Sequence, residues 1–87
     1  MCRTIHFELA GHPSTKEELV KEAIQRVKDS IGYTKRVHYG LGYGNRCYVS
    51  YTTNKLGEAL FVEMEARGWK PQWRKDYNYF DPRWIGM

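Results

Sequence analysis

Lys35-Arg36-Val37-His38-Tyr39-Gly40-Leu41-Gly42-Tyr43-Gly44-Asn45-Arg46-Cys47-Tyr48-Val49-Ser50-Tyr51 alternates apolar and polar side chains on both sides of a tight turn. Val37, Tyr39 and Leu41 fall on one side, against Arg36, His38 and Gly40. After Tyr43-Gly44-Asn45-Arg46, the residues Cys47, Val49 and Tyr51 alternate with Arg46, Tyr48 and Ser50. A period of two belongs to a strand with one buried face, and a Gly-Asn turn between two such runs marks a hairpin. The spacing predicts strands over residues 35–43 and 46–51.

Upstream, Thr4 to Leu9 alternates in the same way, with Ile5, Phe7 and Leu9 on one face and Thr4, His6 and Glu8 on the other. Gly11-His12-Pro13-Ser14 breaks that strand. Ser14 with Glu17, and Thr15 with Glu18, have capping-box spacing at a helix start. Leu19, Val20, Ala23, Ile24, Val27 and Ile31 then recur at helical spacing, Lys16 falls with the polar residues opposite, and Gly32 is placed to end the helix. Downstream, Thr53 or Asn54 caps a second helix with a stripe of Leu56, Leu60 and Met64, ended by Gly68. Gly57 inside it costs about 1 kcal/mol relative to alanine, which suggests a close packing contact. Residues 69–75 or 77–80 supply a fourth strand, pushed to an edge by Pro71.

The order strand, helix, strand, strand, helix, strand is the ferredoxin-like split β-α-β pattern. It predicts an α+β fold, βαββαβ, in which two helices cover one face of an antiparallel sheet. A chain of 87 residues holds one core, so residues 1–80 are expected as a single domain and 81–87 as an aromatic tail. An exposed fourth strand offers an edge to a second copy, so monomer and homodimer both stay open.

The apolar runs are far shorter than the roughly 20 residues that span a bilayer, and residues 1–6 lack a signal peptide's apolar stretch. A cytoplasmic protein with no membrane partner is expected. Cys2 and Cys47 are read as free thiols, and Cys2 with His6 lacks a second ligand pair, so neither metal nor cofactor is expected. No Ser/His/Asp or Cys/His arrangement emerges from local spacing, and no catalytic residue is expected.

The net charge is +4, and its distribution carries more information than its total. Residues 1–32 are neutral, and residues 53–87 hold six bases and five acids. Residues 33–52 hold Lys35, Arg36 and Arg46 with no acid, interleaved with five tyrosines and His38. On the sheet face opposite the helices, alternation places His6, Arg36, His38, Arg46 and Tyr48, with Arg74 and Lys75 extending the patch. Flat rings beside cations stack on unpaired bases and neutralise phosphates, so the expected partner is single-stranded nucleic acid, RNA or DNA.

Tyr48-Val49-Ser50-Tyr51 resembles the aromatic end of the third strand in RNA-recognition motifs. The glycine and first ring of that signature are absent, and His6 stands where a stacking ring belongs. A protein-binding module or inhibitor, such as an accessory protein or phage-type antagonist, is the alternative. Its anchors would be the C-terminal cluster of Tyr77, Tyr79, Arg83 and Trp84, since Trp, Tyr and Arg dominate interfaces. A third expectation rests on Met1-Cys2-Arg3, the Glu-rich helix near Glu17 to Glu22, and Leu60 to Pro71 with its run Glu63-Met64-Glu65-Ala66-Arg67-Gly68. These are similar to segments of the phage pyrimidine-dimer DNA glycosylases, a resemblance that implies an enzyme acting through the amine of residue 2.

Overall fold

The computed structural model describes residues 3–9, 13–74 and 85–87. It is an α+β structure: five antiparallel strands and two helices. Strand β1 is Arg3–Glu8, a short 3-10 turn spans Pro13–Thr15, and helix α1 is Lys16–Ile31. The hairpin pairs β2, His38–Leu41, with β3, Arg46–Tyr51, and is followed by α2, Asn54–Ala66. Two short strands complete the sheet, β4 at Gln72–Arg74 and β5 at Ile85–Gly86, in the order β4-β1-β3-β2-β5.

The helix boundaries follow from local chemistry. Thr53 is extended, and its hydroxyl accepts the Leu56 N–H at 3.2 Å, supplying one of the donors that a helix N-terminus leaves unmet. Gly32 ends α1 with φ 70°, a left-handed conformation that costs glycine little. Of the two capping boxes expected at the start of α1, the one at Thr15 does not form. Thr15 is not extended (φ −102°, ψ 5°), because the 3-10 turn runs directly into the helix, and its side chain makes no capping bond.

Val20, Ala23, Ile24 and Val27 of α1 and Leu56, Leu60 and Met64 of α2 form one core with Ile5, Phe7, Tyr39, Cys47 and Val49 of the sheet. Gly57 meets its expected neighbour. A methyl group there would lie 2.6 Å from Cδ2 of Tyr51, so the small residue lets α2 approach that ring. Trp69 is buried and stacks on Phe7 with 5.5 Å between centroids. Arg67 lies 5.3 Å over the Trp69 ring and bonds Glu63 at 2.6 Å and Glu22 at 3.4 Å, tying the end of α2 to α1.

Two expectations need correction. The sheet differs from a simple βαββαβ arrangement, because residues 85–87, read as tail, pair with the β2 edge. Met87 exchanges backbone hydrogen bonds with Val37 at 2.8 and 2.9 Å, and its carbonyl accepts from Lys28 Nζ at 3.0 Å. The second correction concerns Lys16, which is buried with the apolar stripe. Its Nζ donates to Gly42 O at 2.6 Å and to Gly44 O at 2.8 Å, so the first turn of α1 clamps the hairpin turn.

Replacing Lys16 with methionine keeps the packed stem and removes both bonds. The variant is expected to be less stable by about 2 kcal/mol, because two carbonyls lose a charged donor. A chemical-denaturation midpoint equal to that of the wild type would show that water replaces the ammonium at no cost.

Candidate functional site

The registers of β1 fix which side chains share the face away from the helices. Thr4 lies between Arg74 and Ser50, His6 between Gln72 and Tyr48, and Glu8 beside Arg46. Tyr48 is in turn opposite Gly40. Alternation in 46–51 therefore places Arg46, Tyr48 and Ser50 on the face expected of them.

That face is not an uncovered platform, however. Thr4 and Ser50 are buried, their hydroxyls donating to Arg74 O at 3.2 Å and His38 O at 3.3 Å. Tyr48, expected as an exposed stacking ring, is only 7% exposed. Gly40 explains how the ring lies down. With no side chain on the neighbouring strand, the ring folds flat across the sheet, reaching to 2.0 Å from where a Gly40 Cβ would stand. Its other neighbour is His6, 5.6 Å away between ring centroids. The stem of Arg36 crosses Gly86 in the same manner.

What remains open is a cleft of about 520 Å³ with His6 and Tyr48 in its lining. Arg46 and Tyr43 come from the hairpin, and Lys70, Gln72 and Arg74 from the segment entering and forming β4. Three full positive charges therefore meet one acid, Glu8, among the described residues of the cleft. Arg46 Nε is 3.5 Å from Glu8 Oε1 in an exposed pair, worth at most about 1 kcal/mol. Arg74 donates to Gln72 Oε1 at 3.2 Å.

Two parts of the cleft are held in place by the fold. The hairpin turn is pinned by Lys16 from below, and it presents Tyr43 to solvent at 89% exposure. On the opposite side, Lys70 has φ 51°, the one non-glycine residue with a left-handed backbone among those described. Such a conformation costs on the order of 1 kcal/mol or more and persists only where its surroundings enforce it. The enforcement is visible in Trp69, whose N–H donates to Met64 O at 3.0 Å and whose carbonyl accepts from Glu8 N at 3.0 Å.

Of the residues expected to bind, His6, Arg46, Tyr48 and Arg74 converge on this cleft, whereas Arg36 and His38 lie toward the β2–β5 edge, outside its lining. Lys75, Tyr77, Tyr79, Arg83 and Trp84 lie outside the described residues. Glu8, Tyr43, Lys70 and Gln72 were not singled out by sequence. The excess of tyrosine in 33–52 pointed toward Tyr43, but Lys70 and Gln72 enter only through the pairing of β4 with β1.

Burial, and secondarily the positive charge of Arg74, holds the His6 imidazole below its ordinary 6.5. Its ring faces Tyr48 from β3, and Gln72 lies opposite it on β4. The unfolded chain thus takes up a proton more readily than the folded one. The stabilisation is full above 6.5 and is lost as pH falls through the folded value. Melting temperature is expected to drop on acidification below pH 6.5, with a smaller drop in His6→Gln. Identical pH profiles for the two proteins would contradict this.

Burial also pushes the Cys47 thiol up to about 11, against the opposing charge of Lys16, so at neutral pH it stays protonated and is a poor nucleophile. Among the described residues no group of three His, Cys, Asp or Glu is placed to hold a metal ion, and no helix is long and apolar enough to cross a membrane. No protein family, curated protein or solved structure matches the chain.

Proposed function

We propose that this domain binds single-stranded nucleic acid through the cleft between the hairpin turn and β4. The observation that supports this best is the convergence of Arg46, Lys70 and Arg74 on one concavity whose rim carries the exposed ring of Tyr43. Cations neutralise phosphates, and a protruding phenol ring stacks on a base that is not already stacked in a duplex. The volume lies within the roughly 300–1,000 Å³ typical of pockets that enclose one small organic group. The element order supports reading the domain as a ferredoxin-like sandwich with β5 added to one edge.

In this reading Tyr48 supports the floor of the cleft, and Tyr43 takes the stacking role. Arg36 and His38 contribute at most a distant positive edge. Binding involves no covalent step, and its strength depends on counterion release, with a slope of about 0.7 in log affinity per log salt for each phosphate neutralised. Fluorescence anisotropy with short labelled DNA and RNA strands at two salt concentrations is the test. Affinity that rises steeply as salt is lowered is expected. Absence of binding at low salt, or binding indifferent to salt, would refute the proposal.

A further inference from the structure

Glu8 is out of place in a cleft built to attract phosphate. It is the one carboxylate among the described lining residues, it is exposed, and it sits between Arg46 on one side and the strained turn at Lys70 on the other. A carboxylate repels a polyanion, and at this position it weakens backbone binding unless it meets hydrogen-bond donors on the ligand. Phosphates carry none. A ribose hydroxyl carries one, and bases carry sets that differ from base to base.

An unpaired guanine presents N1–H and N2–H side by side, two parallel donors that match the two oxygens of one carboxylate. The same ring presents O6 and N7 as acceptors for a guanidinium or ammonium. Adenine has an amine but only acceptors beside it. Uracil has one N–H between two carbonyls that would face the carboxylate unfavourably, and cytosine offers one amine beside acceptors.

On the nucleic-acid reading above, we infer that the cleft selects guanine, with Glu8 accepting from N1–H and N2–H and Arg46 donating to O6 and N7. Arg74, paired with Thr4, lies four residues along β1 from the level of Glu8, about 13 Å at the rise of a strand. The guanidinium itself turns back from that level, donating to Gln72 opposite His6, so the cation and the carboxylate face each other along one cleft. Arg74 therefore takes the phosphate, at the end of the cleft farther from the carboxylate.

The test is competition of GMP, AMP, CMP and UMP against a labelled strand, with wild type and Glu8→Gln. GMP is expected to displace the strand at a concentration at least about tenfold lower than the other three, the discrimination of one good bidentate contact. Glu8→Gln is expected to lose that preference and to bind an adenine-only strand about threefold more tightly, since a repelling charge is gone. Thermal melting of the variant reports whether it is folded. Equal displacement by all four nucleotides, a preference for cytosine, or an unchanged preference in Glu8→Gln would overturn guanine selection while leaving strand binding intact. Failure of every strand to bind would overturn the binding function and this selectivity together.

Discussion

Replacing Gly40 with alanine is expected to lower stability by about 3 kcal/mol, the upper end of what overpacking costs. Propensity alone predicts the opposite sign, because glycine within a strand loses more backbone entropy than alanine and packs nothing. Sterics decides. An added Cβ would stand 2.0 Å from Cε2 and 2.7 Å from Cζ of Tyr48, well inside van der Waals contact. The Tyr48 ring is buried, with the His6 ring nearby, so it must shift as a whole. For a domain of this size the penalty corresponds to a fall of about 15 °C in melting temperature. The double variant Gly40→Ala/Tyr48→Leu should recover part of the loss, which a double-mutant cycle measures as coupling. An unchanged melting temperature in Gly40→Ala would mean that the ring does not lie across β2.

Removing the cleft's cations is expected to weaken strand binding by about 100-fold without weakening the fold. The informative variant combines Arg46→Gln, Lys70→Gly and Arg74→Gln. Its salt slope should fall by about 1.4, two phosphate contacts at roughly 0.7 each from Lys70 and Arg74, with Arg46 held on the base. Lys70→Gly separates binding from stability. Glycine relieves the left-handed backbone at φ 51°, so this single change is expected to stabilise the fold slightly while it weakens binding. Arg46 and Arg74 are exposed, and the ion pair and hydrogen bond they lose are weak surface contacts. A triple variant that binds as tightly as the wild type would place the nucleic-acid contacts elsewhere, and one that melts far below it would show that the cations are structural.

Much of the fold was legible because its signals are local. Strict alternation located the faces of β1 and β3, the left-handed position at Gly32 ended α1, and Thr53 began α2. Gly57 announced a close approach that proved to be Tyr51. What escaped depended on partners distant in sequence. Ile85 and Gly86 are too few to show a strand period, and only the β2 edge makes them a strand. Lys16 reads as a solvated helix residue until the hairpin turn supplies two carbonyls 26 and 28 residues away.

The candidate site divides along the same line. Alternation assigned His6, Arg46 and Tyr48 to one face correctly, because direction is a property of the strand itself. It could not give exposure. Whether Tyr48 stands up or lies down depends on the residue across the ladder, and Gly40 allows it to lie down. The cleft's second wall was hidden for another reason: the backbone strain at Lys70 arises from Trp69 being gripped by Met64 and Glu8 together, which no local pattern reports.

The most direct measurement is a titration of the isotopically labelled domain with a guanine-containing single strand at low salt, followed through backbone amide resonances. The largest shifts are expected at Glu8, Tyr43, Arg46, Lys70, Gln72 and Arg74, with the helix face around Glu58 and Val62 unmoved. Shifts confined to the helices, or none anywhere, would contradict the assignment of the cleft as a nucleic-acid site.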